Sequence, residues 1–261
     1  MDTDRAPAAL TARARELWEF LAVDWAGGEA GTAAARGTGF APALRVIVSP
    51  GSALCPPGWA GIVVLGDAAL ATAPDAGTSR LVEEALGDVP AASLTDAYVL
   101  RNRLPIAEIL GPSSLAYLNS AEFRPQPGTA AITPLDLDDP VFRQFVLAAD
   151  PEEVEESGMQ EITTPAFAVC EQGQVVAAAG YRDWPRGTAH LSVLTAAASR
   201  GRGLGRAAAS AAVARAIADD RLPQWRARPM ASRRVARALG FRELGLQVCI
   251  RLTTPVTRSE H

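Results

Sequence analysis

The residues with the clearest chemical potential form a turn of three arginines and three glycines, Arg200 to Arg206 (RGRGLGR). It follows a predicted strand, His190 to Thr195, and leads into a long alanine-rich segment that we predict to be helical. The first N–H groups of a helix have no partner inside the helix, and the helix dipole makes that end positive. Glycines let such a backbone approach a bulky anion, and arginines add bidentate donors. The turn therefore predicts a pyrophosphate-binding site.

The charge of the chain is distributed unevenly around this turn. All 25 basic residues are arginine, and they face 29 acidic residues, which gives a net charge of −4. Residues 200–261 carry 13 arginines and 4 acids, whereas residues 1–199 carry 12 arginines and 25 acids. Such asymmetry points to an anionic ligand or partner, although a solvated basic helix face would produce the same count.

Two kinds of pyrophosphate-binding turn compete for this sequence. The dinucleotide motif G-x-G-x-x-G requires a third glycine where Arg206 stands, and it follows the first strand of a βαβ unit. The pattern R/Q-x-x-G-x-G/A is satisfied by Arg200, Gly203 and Gly205, and it resembles the acetyl-CoA-binding turn of the GCN5-related N-acetyltransferase (GNAT) superfamily. A second copy, at residues 36–41, is followed by a proline and a predicted strand, so it lacks the helix N-terminus that would receive a phosphate.

The order of the surrounding elements strengthens this resemblance. From Thr129 to Leu252 the sequence predicts a strand, two helices, a hairpin, a strand, the turn, a long helix, a strand, a helix and a final strand, as in the GNAT fold. The segment Ala231 to Phe241 (ASRRVARALGF) also resembles the second conserved helix of that family. The resemblance implies an α/β (α+β) fold in which helices flank a mixed, mostly antiparallel sheet.

A linker rich in proline and glycine, Phe123 to Gly128 (FRPQPG), predicts a domain boundary. We expect a smaller N-terminal α/β domain at residues 1–125 and an acetyl-CoA-binding catalytic domain at residues 129–255. The N-terminal domain is interpreted as a degenerate GNAT-like half that forms a wall of the acceptor site or a dimer contact. Within it, Gly61 to Ala73 predicts a strand hairpin, and Thr95 to Leu110 predicts a helix interrupted by a proline.

The resemblance also implies a set of acetyl-CoA contacts. The backbone of one strand would pair with the pantetheine arm like an added strand, and the turn would hold the pyrophosphate. Arg233 or Arg234 would reach the nucleotide end, although either could be a solvated helix arginine. The implied contacts are Val193, Leu194, Thr195, Arg200, Gly201, Arg202, Gly203, Leu204, Gly205 and Arg206.

The sequence departs from the family where proton transfer would take place. Many relatives place a tyrosine four residues before the glycine of the L-G-F motif, and this position is Ala236 here. Direct acetyl transfer needs a neutral amine and a proton for the departing thiolate. Ser232 is the candidate donor to the thiolate, and His190 is the candidate base. A helix-capping role for Ser232 and a solvent-facing or backbone-bonded role for His190 are the competing interpretations.

The composition excludes several chemistries. Without lysine the chain has neither a Walker A phosphate loop nor a lysine Schiff base. Three separated cysteines and only two histidines predict no disulfide framework and no metal site. The sequence has no signal-like N-terminus and no apolar run long enough for a membrane span. We therefore expect a cytoplasmic protein without membrane partners.

The leading hypothesis is an acetyl-CoA-dependent N-acetyltransferase in which the primary amine of a small molecule or peptide attacks the acetyl group directly. An acidic helix predicted at Pro151 to Ser157 suits a cationic acceptor, although a solvated helix face is the simpler interpretation. The alternative is a non-catalytic acyl-CoA-binding or regulatory protein, which the missing tyrosine motivates. A nucleic-acid partner is disfavoured because the first 199 residues carry 13 more acids than arginines. The resemblance is compatible with a homodimer.

Overall fold

The computed structural model describes residues 5–23, 40, 44–126 and 130–253. In chain order the helices are α1 (Arg5–Ala22), α2 (Ala76–Leu86), α3 (Ala97–Arg103), α4 (Pro140–Ala148), α5 (Pro151–Ser157), α6 (Leu204–Ala218) and α7 (Met230–Ala238). The strands are β1 (Leu44–Val48), β2 (Ala60–Leu65), β3 (Ala68–Ala73), β4 (Ile106–Tyr117), β5 (Ile132–Leu135), β6 (Ala166–Glu171), β7 (Gln174–Trp184), β8 (Thr188–Thr195), β9 (Leu222–Ala227) and β10 (Arg242–Leu252). The second motif copy, at residues 36–41, lies outside the described residues except for Phe40. Within the described ranges, no helix is long and apolar enough to cross a membrane.

The chain divides into two compact units. The first comprises Met1–Ser114 together with Leu244–His261, and the second comprises Leu115–Glu243. The last strand belongs to the first unit because β10 pairs antiparallel with β2 from Gly245 to Ile250. The units therefore differ from the predicted ranges 1–125 and 129–255 in two ways. The division falls between Ser114 and Leu115, before the predicted linker, and the residues from Leu244 onward are grouped with the N-terminal part of the chain.

In the first unit the strands lie in the order β1-β3-β2-β10-β4. The predicted hairpin is confirmed, since β2 and β3 pair antiparallel up to Leu65 and Ala68 around a glycine with positive φ. The helix predicted over Thr95 to Leu110 is wrong in its second half, because α3 ends before Pro105 and β4 begins at Ile106. Proline cannot continue the helical hydrogen bonding, and the residues after it join the sheet instead.

In the second unit the strands lie in the order β9-β8-β7-β6-β5. The pairs from β5 to β8 are antiparallel, and β8 pairs with β9 in parallel. Buried alanines of α6, such as Ala208 and Ala212, pack against one face of β7, while α4 and α5 cover the opposite face. Small side chains allow this close approach of helix and sheet. The predicted α/β fold with a mostly antiparallel sheet flanked by helices is confirmed.

Candidate functional site

A cleft of about 920 Å³ opens in the second unit where two neighbouring strands separate. Strands β8 and β9 pair only from Thr188 with Leu222 to His190 with Gln224. Beyond this point β8 continues to Thr195 with β7 along its other edge, so its edge towards the cleft has no strand partner among the described residues. Such an edge can receive an extended ligand as an added strand. The predicted strand residues Val193, Leu194 and Thr195 line this cleft.

The glycine turn forms one end of the cleft. Gly201 and Gly203 have φ values of +78° and +79°, in the left-handed region that side chains with a Cβ rarely adopt. Gly203 is the N-cap of α6, and no side chain caps the helix there. The first N–H groups of α6 are therefore left for a ligand, which makes the turn a backbone nest for an anion.

Gly205 is required for close packing of α6 on β8. A Cβ at this position would lie 2.5 Å from Thr195 Oγ1 and 3.6 Å from Val193 Cγ1. The absence of a side chain therefore brings the start of the helix directly against the free strand, so the anion nest and the strand edge share one cleft.

A Gly205→Ala variant is expected to lower the free energy of unfolding by about 1–3 kcal/mol, because the added methyl group overpacks the contact with Thr195. Urea denaturation measures the change. Adding Thr195→Ala should recover part of the loss, since it removes the clashing hydroxyl. Equal losses in the single and double variants would contradict this packing role.

The three arginines of the turn have different surroundings. Arg206 lines the cleft, and its Nε is buried without a hydrogen-bond partner in the described structure. Arg200 also lines the cleft, where its Nη2 donates to Glu153 Oε2 at 2.5 Å. Arg202 instead donates to both carboxylate oxygens of Glu171, at 2.9 and 2.6 Å, and is not among the residues that line the cleft. The Arg206 Nε, which has no partner among the described residues, and the uncapped helix fit a polyanion such as the pyrophosphate of acetyl-CoA.

Two neighbouring arginines of α7, Arg233 and Arg234, also have different surroundings. Arg233 donates to both carboxylate oxygens of Glu243, at 2.8 and 2.6 Å. Arg234 lines the cleft and has no ion-pair partner among the described residues. Arg234 is therefore the one with a guanidinium available to a ligand.

The acidic helix α5 borders the cleft directly. Glu153 accepts from Arg200, and Glu156 accepts from Arg228, which follows β9 on the other side of the cleft. Asp150 is the N-cap of the helix, and its side chain accepts from the backbone N–H of Glu152. Two carboxylates of the helix are thus paired with arginines of the cleft. Arg228 was not predicted as a site residue, and no family motif marks it.

The structure places His190 in a buried pair instead of at the cleft surface. Its Nδ1 is hydrogen-bonded to Gln224 Oε1, and its ring stacks on Trp184 with centroids 4.0 Å apart and planes 9° apart. Burial, followed by the positive charges of Arg226 and Arg182, lowers the pKa of His190 to about 3. His190 is absent from the cleft lining, and a ring with this pKa is a weak base at neutral pH.

The buried His190 makes the stability of the protein depend on pH. Its folded-state pKa lies below the ordinary value of 6.5, so between about pH 6.5 and 3 the unfolded chain binds a proton that the folded chain does not. The free energy of unfolding should fall as the pH falls through this window, by up to about 1.4 kcal/mol per pH unit. Denaturant unfolding at several pH values should show a shallower dependence for His190→Gln. Parallel curves for both proteins would contradict the assignment.

Ser232 lies in the first turn of α7 and lines the cleft. It is not the helix cap, because the N-cap is Pro229, which makes no side-chain capping bond. Its Oγ accepts a hydrogen bond of 2.9 Å from Trp225 Nε1, and Trp225 also lines the cleft. The structure therefore brings Ser232 to the cleft and does not bring His190 there.

None of the tyrosines that the structure describes lines the cleft. Tyr181 is the only tyrosine between β5 and β9, and its hydroxyl donates to Asp219 at 2.6 Å. Burial raises the pKa of Tyr181 to about 12, with the Asp219 hydrogen bond as the next cause. Among the described lining residues there is thus no equivalent of the tyrosine that many GNAT proteins use as a proton donor.

Several solved structures are similar to part of this chain. An acetyltransferase of the GNAT family from Colwellia psychrerythraea is 15% identical, with a TM-score of 0.46 over 62% of this chain and 63% of that chain. A GCN5-related N-acetyltransferase from Kribbella flavida is 18% identical, with a TM-score of 0.43 over 60% and 63%. A protein from Salmonella typhimurium, solved with its cofactor acetyl-CoA, is 20% identical, with a TM-score of 0.34 over 51% and 99%. The chain thus spans 63% of the length of the first two.

The comparison with protein families gives a match in the second unit. No curated protein matches the sequence. Residues 164–245 match the family model described as GNAT acetyltransferase. This range contains the separated strands β8 and β9, the glycine turn and helices α6 and α7. This segment of the chain is therefore similar to the GNAT acetyltransferase family.

Proposed function

We propose that the protein is an acetyl-CoA-dependent N-acetyltransferase that acts on a primary amine of a small molecule or peptide. The observation that carries the proposal is the meeting of a free strand edge with an uncapped helix N-terminus in one cleft. The strand edge suits the amide groups of a pantetheine arm, and the helix N-terminus suits a pyrophosphate. A cytoplasmic location and a homodimer remain predictions.

The residues of the cleft have separable roles in this proposal. Val193 and Thr195 would offer backbone groups to the pantetheine arm, while Gly203 and the first turn of α6 would hold the pyrophosphate. Arg206 would neutralise phosphate charge, because its buried Nε has no other partner in the described structure. When bound, acetyl-CoA supplies an activated thioester, and the chain orients it for attack by an amine.

The second candidate function is a non-catalytic acyl-CoA-binding protein. The observations that favour it are Ala236 in place of the family tyrosine and the low pKa of the buried His190. Neither feature interferes with ligand binding. Together they leave the transfer without a conventional acid or base. Ser232, the donor predicted from the sequence, is a candidate for the thiolate, since it lines the cleft.

Two measurements separate these functions. Calorimetry with CoA and acetyl-CoA tests the binding that both require, and the absence of binding at millimolar ligand overturns both. Thiol release from acetyl-CoA across a panel of amines then tests transfer. Release that depends on an amine supports the acetyltransferase, whereas binding without such release supports the non-catalytic protein.

The ion pairs of α5 lead to a prediction for ligand binding. Glu153→Gln and Glu156→Gln should each tighten CoA binding about 2- to 5-fold, because each carboxylate competes with the ligand for a half-exposed arginine. Glu152→Gln is the matched control, because Glu152 lies on the same helix, lines the cleft and has no ion pair among the described residues. Calorimetry at constant salt measures the three affinities. Weaker binding by the first two variants would show that the pairs hold the helix in place for the ligand.

A further inference from the structure

We infer that Trp225 is a positioning residue, which directs the hydroxyl proton of Ser232 towards the sulfur of the departing thiolate. The inference rests on the proposed function and extends it to the step for which the family tyrosine is missing. It assigns Ser232 as the hydrogen-bond donor and Trp225 as the group that orients it.

The Trp225 side chain is held rigidly where it meets Ser232. It is 4% exposed, and its ring packs edge-to-face on Phe241 with centroids 5.4 Å apart and an angle of 73° between the planes. Its Nε1 donates to Ser232 Oγ at 2.9 Å. Because an indole nitrogen can only donate, this bond occupies a lone pair of the serine oxygen and leaves the serine proton unused.

The Ser232 proton has no acceptor among the described residues of the protein. A serine inside a helix often donates to a backbone carbonyl of the preceding turn, and Ser232 makes no such bond. Since Ser232 lines the cleft and its oxygen already accepts from Trp225, a ligand in the cleft is the acceptor left for the proton.

The position of Ser232 on α7 agrees with this role. Ser232 and Ala236 are four residues apart, so they lie on the same face of the helix, one turn from each other. The family resemblance places the tyrosine hydroxyl at Ala236, where only a methyl group remains. The serine hydroxyl is thus a polar group on the helix face from which the family tyrosine is missing.

The chemical step is balanced without a change in the protonation of Ser232. The amine nitrogen forms a bond to the acetyl carbon, the carbon–sulfur bond breaks, and its electron pair stays on sulfur. The nitrogen loses its proton to solvent. Ser232 donates a hydrogen bond to the sulfur anion and keeps its own proton, because a serine hydroxyl is a much weaker acid than a thiol.

The test measures the pKa of the CoA thiol when CoA is bound to the protein. The ultraviolet absorbance of the thiolate is followed across pH against the same protein carrying S-methyl-CoA, which has no thiol proton. A donor that stabilises the thiolate lowers this pKa, so Ser232→Ala should raise it by about one unit relative to wild type. Trp225→Phe keeps an aromatic ring but removes the N–H, and it should raise the pKa by a smaller amount. In a protein that already carries Ser232→Ala, Trp225→Phe should not raise the thiol pKa any further.

Controls keep the inference falsifiable. Ser232→Thr retains the hydroxyl and should keep the wild-type thiol pKa, and Trp184→Phe removes an indole N–H outside the cleft lining and should also leave it unchanged. If Trp225→Phe fails to fold, Ser232→Ala and Ser232→Thr still decide whether the hydroxyl stabilises the thiolate, and Trp225→His, which restores a ring N–H, decides the role of the donor.

The possible outcomes distinguish this inference from the proposed function. If wild type does not bind CoA, the proposed function fails first. If wild type binds CoA and Ser232→Ala leaves the thiol pKa unchanged, the inference is overturned while acetyl-CoA binding stands. Equal effects of Trp225→Phe with and without Ser232 would assign the tryptophan a packing role only.

Discussion

Gly203→Glu should weaken CoA binding about 100-fold or more, because it adds a negative charge to the anion nest and strains the backbone of the nest. The variant places a carboxylate at the positive end of α6, where the phosphates would bind. It also requires a residue with a Cβ to adopt a φ of +79°, which costs about 1–2 kcal/mol. A built Cβ meets no atom within 4 Å, so the side chain fits without a clash.

Gly173→Glu is the matched control for this variant. Gly173 has a φ of +78° and open space around its Cβ, and it lies in the hairpin between β6 and β7, outside the cleft lining. Both variants carry the same strain and the same added charge, and thermal unfolding should show similar losses of stability. Calorimetry should detect CoA binding by the control alone. Similar affinities for both variants would show that the ligand does not bind at the turn.

Replacing the arginines that line the cleft should give the second-largest loss of CoA affinity. Arg206→Ala should weaken CoA binding about 10-fold or more, and Arg234→Ala should weaken it about 5- to 10-fold, since charge-assisted bonds to phosphate are stronger than neutral ones. Arg202→Ala and Arg233→Ala are their controls, because Glu171 and Glu243 already hold these guanidinium groups. The controls should change affinity about 2-fold or less, as expected for long-range charge screened by salt.

The salt dependence of binding adds an independent readout to these four variants. Loss of a direct phosphate contact should reduce the fall in affinity with rising ionic strength, whereas loss of an ion pair away from the ligand should leave that slope almost unchanged. Calorimetry with CoA at low and moderate salt measures both. Equal slopes for Arg206→Ala and Arg202→Ala would contradict the assignment of Arg206 as a phosphate ligand.

Local sequence features predicted much of the second unit. The turn residues Glu171 to Gln174 predicted the hairpin of β6 and β7, and the three glycines from Gly201 to Gly205 predicted a strand–turn–helix anion site. These features depend on backbone conformations that neighbouring residues impose on one another. They could therefore be predicted from the sequence without knowledge of the tertiary contacts. The helix predicted across Pro105 was wrong because the later residues gain more by joining a sheet than local periodicity indicates.

The roles of individual charged and polar side chains could not be predicted in this way. Arg202 and Arg206 have the same chemistry and lie four residues apart, yet one is bound to Glu171 of β6 and the other has an unpartnered Nε beside the cleft. From the sequence alone His190 would be given the ordinary histidine pKa of 6.5, and it is the fold that lowers this pKa, by burying the ring and placing it near Arg226 and Arg182.

The sequence by itself determined the fold class, the position of the glycine turn and the asymmetric distribution of arginine. The tertiary structure decided which arginines are available to a ligand, and of the two predicted catalytic residues it brings Ser232 to the cleft and leaves His190 outside the cleft lining. The physical reason is that backbone conformation is specified by neighbours in the chain. Solvation and ion pairing, in contrast, depend on partners such as Glu171 and Trp225 that only folding brings into contact.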